Sequence, residues 1–211
     1  ATISGADLDN GSTDNCGVSS LTAGTTSFTS ANIGTNSVTL TVTDSSGNTA
    51  VCTATVTVQD NIPPTAVCQD FTVALDATGN ASIVATDIDN GSTDNVGVTS
   101  LVLDTTAFTC ADLGANTVTL TVSDAAGNST TCQATVSVID TTNPTVITQD
   151  IIVQLDATGN ASILAADVNN GSSDNCSITQ YNLVVSSFTC ADVGANTVTL
   201  TAIDQSGNSA S

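Results

Sequence analysis

The chain contains no lysine, arginine, histidine, glutamate, methionine or tryptophan. All 20 acidic residues are therefore aspartates, and the formal net charge is −20. No carboxylate has a cationic side chain to pair with, so the balancing charge must come from solution. Histidine, lysine and glutamate are also the usual general acids and bases, and without them a serine or cysteine nucleophile has no side chain to activate it. A pair of aspartates could in principle cleave a glycoside, but aromatics make up 2% of the chain and Tyr181 is the single tyrosine, so a sugar finds little to stack on. The chain is not expected to be an enzyme. An acidic surface with no basic residue repels nucleic acid phosphates and anionic lipid headgroups, which removes both as partners. No run approaches the ~20 apolar residues of a membrane span, and residues 1–10 lack signal-peptide character, so export is expected to be directed from outside this segment.

What the chain does contain is repetition. The block Asp-Ile-Asp-Asn-Gly-Ser-Thr-Asp-Asn at 87–95 has near copies at 7–15 and 167–175, each one period of 80 residues away. That period suits one small β-domain, giving a partial repeat at 1–60, a complete one at 61–140 and a nearly complete one at 141–211. Apolar residues make up 40% of the chain, which supports folding despite the charge, while scarce aromatics leave each core thin. A module of this size gains appreciably from cross-links or bound ions.

Within the complete repeat, residues 117–124 alternate Thr or Ser with Val118, Leu120 and Val122. This period of two marks a strand half-buried in a sheet. The same pattern recurs at 37–43 and 197–201, and strands are expected near 66–75, 81–86, 98–104, 106–110, 116–123 and 130–139, with no helical periodicity. Turn signals separate them, including the Asp-x-x-Gly-Asn runs at 76–80 and 124–128. Proline ends strands at the boundaries 60–64 and 140–144. Six or seven short antiparallel strands per repeat read as an all-β fold, tandem immunoglobulin-like Greek-key β-sandwich modules in a linear array.

Asp87, Asp89 and Asp94 fall within eight positions of one loop. At ~5 Å and an effective dielectric of ~20, each pair of carboxylates repels by roughly 3 kcal/mol, and a hard cation removes that cost. Clustered aspartates in glycine-containing loops point to calcium. In an immunoglobulin-like sandwich, the loop after the second strand and the loop before the last lie at the end where the preceding module arrives. Asp60, Asp87, Asp89, Asp94 and Asp124 are thus expected to converge at one junction, and Asp140, Asp167, Asn169, Asp174 and Asp204 at the next. Asp7, Asp9, Asp14 and Asp44 are the counterparts in repeat one. Calcium at each junction would turn a flexible string into a rod. The competing reading is that these aspartates are ordinary turn residues.

Seven cysteines and no histidine argue for an oxidising compartment and against zinc. Cys68 and Cys132, on the first and last strands, are the expected intra-repeat pair, with Cys52 standing where Cys132 does one period earlier. Cys176 and Cys190 form a second candidate pair. Against it, Cys16 faces Ser30 and Val96 faces Cys110 at the equivalent positions, so the alternative leaves Cys16 and Cys110 as small buried thiols. Cys110 is expected to be unbridged.

The cycle Pro64-Thr65-Ala66-Val67-Cys68-Gln69-Asp70, Leu75-Asp76-Ala77-Thr78-Gly79-Asn80, Asp89-Asn90-Gly91-Ser92-Thr93-Asp94-Asn95 and Gly114-Ala115-Asn116-Thr117-Val118-Thr119-Leu120 resembles the repeats of giant gliding-motility surface adhesins of the Bacteroidota, the SprB type. More distantly, the Asp-x-x-Gly-Asn turn followed by Cys132 is similar to the hyalin-repeat (HYR) module. Val96 and Thr148 depart from the fuller cysteine pattern. The resemblance implies a structural stalk of a repetitive adhesin filament, extracellular and associated with the outer membrane. It also implies export by type IX secretion, gliding and secretion machinery engaged through other parts of the protein, and attachment to a substratum or to surface glycans or proteins. It further suggests O-glycosylation at Asp-Thr-Thr sequences, on Thr105 and Thr141. Two other readings are a glycan- or protein-binding module acting by avidity and spacer modules of an exported enzyme.

Overall fold

The structure, a computed structural model, describes residues 1–211. The chain is built from short strands, with β1 at Val18–Ala23, β2 at Gly34–Asp44, β3 at Thr49–Val58, β4 at Phe71–Ala74, β5 at Asn80–Ser82, β6 at Val98–Leu103 and β7 at Ala107–Thr109. They continue as β8 at Gly114–Asp124, β9 at Ser129–Ile139, β10 at Asn160–Ser162, β11 at Ile178–Leu183, β12 at Ser187–Thr189, β13 at Leu200–Asp204 and β14 at Ser209–Ala210. Single helical turns recur one per repeat, α1 at Gly5–Leu8, α2 at Ala85–Ile88 and α3 at Ala165–Val168. The fold is an all-β sandwich.

The alternation read from the sequence sets the strand faces. In β8 the buried residues are Val118, Leu120, Val122 and Asp124, and the intervening Thr and Ser positions are more exposed. Long antiparallel hairpins carry this pattern, β2 with β3 in register from Gly34↔Val58 to Thr43↔Thr49. The complete repeat forms a four-stranded sheet in the order β4-β9-β8-β6 and a two-stranded sheet of β5 and β7. Repeat three repeats the small sheet as β10 with β12.

By contact the chain divides into two compact units. The first comprises Ala1–Thr65, Ser92–Ser100 and Val122–Thr130. Its core is Ala23, Phe28 and Val38, packed by Ile3, Leu8, Val56 and Val58. The second comprises Ala66–Gly91, Leu101–Thr121 and Thr131–Ser211. Among its buried residues are Leu75, Ile88, Phe108, Leu120 and Val136, and a further cluster of Ile163, Val168, Phe188 and Leu200. These cores are aliphatic, with Phe28, Phe108 and Phe188 standing one period apart among them, as the low aromatic content requires.

Four expectations need correction. The strand expected at 66–75 shortens to β4, because the segment before it makes isolated bridges at Thr65↔Thr93 and Cys68↔Asp89 instead of a ladder. Strands were expected to be antiparallel throughout, but β4 runs parallel to β9, from Phe71↔Val136 to Ala74↔Ile139. The strand expected at 81–86 ends at Ser82, and the chain turns into α2 with Val84 as its extended entry residue. A four-residue turn is too short to show helical periodicity.

The fourth correction concerns the cysteines. Cys68 and Cys132 are bonded as expected, with a Cα–Cα distance of 5.8 Å. The Cys176–Cys190 pairing does not exist. Cys176 is bonded to Cys110, 66 residues earlier and one repeat away, and Cys190 is a free, exposed thiol. Cys110 is therefore bridged, and Cys16 is exposed where a buried thiol was expected. Positional equivalence pairs cysteines inside one repeat, and this bridge runs between two.

Candidate metal centre

Two sets of three carboxylates converge. Asp60, Asp94 and Asp124 each offer an oxygen within 4.8 Å of the others, and so do Asp140, Asp174 and Asp204. Each set lies within one compact unit. With the repeat boundaries read from the sequence at 60 and 140, Asp60 and Asp140 close repeats one and two, while Asp94 and Asp124 fall in repeat two and Asp174 and Asp204 in repeat three.

Strand periodicity delivers four of the six. On β8 the inward series Val118, Leu120, Val122 continues to Asp124, and on β13 the series Leu200, Ala202 continues to Asp204. On β9 the series Ala134, Val136, Val138 reaches Asp140 one residue past the strand end. Asp60 stands two residues beyond Val58 on β3 in the same phase. All four are at least nine-tenths buried. Asp94 and Asp174 arrive from the loop that follows the single helical turn, and both are partly buried.

Backbone and amide groups hold each carboxylate in place. Asp94 Oδ2 accepts from the N–H of Val96 at 2.7 Å and of Gly97 at 3.0 Å. Asp60 Oδ1 accepts from Ile62 N–H at 3.2 Å and from the Asn95 amide at 3.4 Å. Asp124 Oδ1 accepts from Asn128 N–H at 2.8 Å and Oδ2 from the Asn128 amide at 2.6 Å, and that amide also reaches the Asp60 carbonyl at 3.2 Å. The second set repeats this pattern. Asp140 Oδ1 accepts from Thr142 N–H at 3.0 Å and from the Asn175 amide at 3.1 Å. Asp204 Oδ2 accepts from the Asn208 amide at 2.7 Å, which also reaches the Asp140 carbonyl at 3.1 Å. Burial pushes the Asp124 carboxyl up, but the hydrogen bonds from Asn128 outweigh it and hold the group below the usual carboxylate value.

What these bonds leave over is chemically specific. Asp60 Oδ2, Asp94 Oδ1, Asp140 Oδ2 and Asp174 Oδ1 are buried and have no hydrogen-bond partner. An unpartnered buried carboxylate oxygen is costly, and three carboxylates at this spacing add roughly 3 kcal/mol of repulsion per pair at an effective dielectric of ~20. The donors are all oxygens, with no imidazole or thiolate among them. That set suits a hard divalent cation, and calcium, which takes about six to eight oxygens in flexible geometry, fits it better than zinc. Asp60, Asp94 and Asp124 would hold one ion, and Asp140, Asp174 and Asp204 another.

The other expected ligands stand outside these sets. Asp87 Oδ2 accepts from Val84 N–H at 2.8 Å and Asp167 Oδ2 from Leu164 N–H at 2.7 Å, each closing its own helical turn. Asp7 does the same with Ser4, whose N–H and hydroxyl hold the Asp7 carboxyl below its ordinary value. Asp89 accepts from Gly91 N–H, Asn169 from Ser172 N–H, and Asp9 from the hydroxyl and N–H of Ser12. In repeat one, Asp14 accepts from Cys16 N–H and Asp44 from Asn48, and neither belongs to a three-carboxylate set. Asn95, Asn128, Asn175 and Asn208 were not singled out from sequence, although Asn128 and Asn208 close the Asp-x-x-Gly-Asn turn that marks them. Thr105 and Thr141 are both exposed.

Residues 9–58 match the family model of the HYR domain. No curated protein matches the chain. Among solved structures, the chain is similar to protocadherin gamma B7 extracellular cadherin domains 1-4, with 12% identity, 92% of this chain and 65% of that chain covered, and a TM-score of 0.36. Against protocadherin gamma B2 extracellular cadherin domains 1-5 the identity is 15%, the coverage 84% and 44%, and the TM-score 0.38. Against the endo-fucoidan hydrolase MfFcnA9 of glycoside hydrolase family 107 the values are 17%, 57% and 28%, and 0.22. The chain spans less than two thirds of the length of each of these three, and similarity at this level carries no functional argument. No helix is long and apolar enough to cross a membrane.

Proposed function

We propose that this chain is a stalk segment of a repetitive extracellular adhesin, whose successive repeats are joined by calcium. The observation that carries this reading is the recurrence of one centre at the 80-residue period, made each time from the last aspartate of one repeat and, from the next, one loop aspartate and one aspartate at a strand end. Because each ion draws ligands from both sides of a repeat boundary, binding couples one repeat to its neighbour. Two disulfides support an oxidising, extracellular setting. The HYR match over residues 9–58 supports an extracellular module of the adhesion type.

The finer reading rests on the repeat motifs themselves. In it, the protein is a cell-surface filament of a gliding bacterium, exported by type IX secretion and held at the outer membrane. It attaches to a substratum or to surface glycans or proteins, and carries sugars on Thr105 and Thr141. Fluorescent antibody against this segment, applied to intact cells that make the protein, is the test. Label moving along the surface of gliding cells is the expected result. Label that enters only permeabilised cells would overturn the surface assignment.

A further inference from the structure

The two disulfides follow different rules. Cys68–Cys132 closes one repeat, whereas Cys110–Cys176 links repeat two to repeat three. One period earlier the counterparts of Cys110 and Cys176 are Ser30 and Val96, which line the same cavity in the first unit. Both partners are replaced together there, as expected if the two positions form one bonded pair. One period later than Cys110 stands Cys190, and two periods before Cys176 stands Cys16, both free and exposed.

These free thiols occupy the same seats as the bonded ones. Cys110 Sγ lies 3.7 Å from the Gly79 carbonyl, and Cys190 Sγ lies 3.7 Å from the Gly159 carbonyl. A Cβ on either glycine would come within 2.7 Å of that sulfur, and both glycines have positive φ. Opposite, Cys176 N–H donates to Asp174 Oδ2 at 3.0 Å, and Cys16 N–H donates to Asp14 Oδ2 at 2.7 Å. Cys52 differs, since it stands at the Cys132 position and belongs to the intra-repeat series.

We propose that Cys190 and Cys16 are the outgoing and incoming halves of inter-repeat disulfides. In an array that continues this period, Cys190 bonds a cysteine placed 66 residues further on and Cys16 one placed 66 residues earlier, at the spacing of Cys110–Cys176. A small-molecule disulfide such as oxidised glutathione supplies the oxidising equivalents. The Cys190 thiolate attacks one glutathione sulfur and releases a glutathione thiolate, then the partner thiolate attacks Cys190 Sγ and releases the second. Two protein thiols become one disulfide and one glutathione disulfide becomes two thiols. The link places a covalent bond across the boundary and is independent of the bound cation.

The test extends the chain after Ser211 with a copy of its own residues 132–211, which keeps the period; the original part carries Cys110→Ala and Cys176→Ala and the copy carries Cys190→Ser, and the product is refolded with oxidised glutathione. Asp-N digestion without reduction is expected to join peptide 174–191, which then holds Cys190 alone, to the copied peptide, which holds the copied Cys176 alone; in the unextended, unaltered chain the same digestion is expected to join 104–111 to 174–191 through Cys110–Cys176. Cys190 recovered as an alkylated thiol, or joined to Cys16 or Cys52, would overturn the proposal. So would loss of the Cys110–Cys176 peptide from the folded chain. In the unextended protein, the double variant Ser30→Cys with Val96→Cys is expected to form a 30–96 bridge. Recovery of both as free thiols would contradict the positional rule.

Discussion

The boundary between repeats one and two differs from that between repeats two and three in one respect. Both assemble three aspartates around unpartnered buried oxygens, but only the second adds a disulfide, Cys110–Cys176 where the first has Ser30 and Val96. The carboxylate centre is therefore the constant device and the disulfide the variable one. A boundary can exist without the bond, and the two boundaries offer a natural comparison of cation coupling with and without covalent support.

Removing the disulfide breaks that comparison with the largest effect. Closing a loop of this length restricts the unfolded chain by about 4 kcal/mol in the chain-entropy model, so Cys110→Ser with Cys176→Ser is expected to lower stability on that order. Urea unfolding, with hydrogen exchange to locate the change, is the check. Protection in residues 1–65 should stay as it was, and an equal loss there would show that the boundaries are not separable in this way.

Replacing a centre aspartate changes the sign of the effect with conditions. Asp60→Asn keeps an acceptor for Ile62 N–H and turns the unpartnered oxygen into an amide that can donate to Asp94 or Asp124. Without divalent cation, the variant is expected to be more stable than the parent by up to about 3 kcal/mol for each repulsive pair removed. With calcium it should gain less than the parent. A variant less stable than the parent under chelator, by thermal melting, would argue against charge repulsion in this cluster.

Acid separates the turn carboxylates from the centres. The Thr78 hydroxyl holds Asp76 below its ordinary pKa, and the Thr158 hydroxyl does the same for Asp156. A group whose folded pKa is depressed contributes stability above its unfolded value, near 3.8 here, and that contribution is lost as pH falls through the folded pKa. Without calcium, Asp76→Asn is expected to flatten the acid limb of the stability curve. Any calcium-induced gain should also fade in acid, because a carboxylate must be deprotonated to ligate a cation. An acid limb unchanged in Asp76→Asn would remove the turn from this account.

The smallest expected effect concerns two glycines with positive φ. Gly79 at +77° has Cys110 Sγ 2.7 Å and the Asn175 carbonyl 2.8 Å from where a Cβ would stand, whereas Gly127 at +92° has open space. Alanine is strained at both, by about 1 kcal/mol, and the Gly79→Ala change adds a clash beside the disulfide. Gly79→Ala should therefore be the more destabilising of the two by chemical denaturation, and equal effects would mean the seat of Cys110 yields easily.

The strands and the sandwich were legible because alternation of Val and Leu with Thr states directly which face is buried. The same alternation marks Asp124, Asp140 and Asp204 as inward positions at strand ends, a signal stronger than the density of aspartates in the 87–95 loop. That density misled in part, since Asp87 and Asp89 are used by local turns and only Asp94 reaches the centre. The one-turn helices were not legible because four residues are too few for periodicity. Cys110–Cys176 is not legible from positions within one repeat; its signal is the joint replacement of both partners by Ser30 and Val96 across the preceding boundary.

Isothermal titration of calcium into the chelator-treated protein tests the central claim most directly. Two ions per chain are expected, falling to one in Asp94→Asn, to one in Asp174→Asn, and to none in the double variant. Absence of binding at millimolar calcium, or a stoichiometry indifferent to these substitutions, would contradict a cation centre at each repeat boundary.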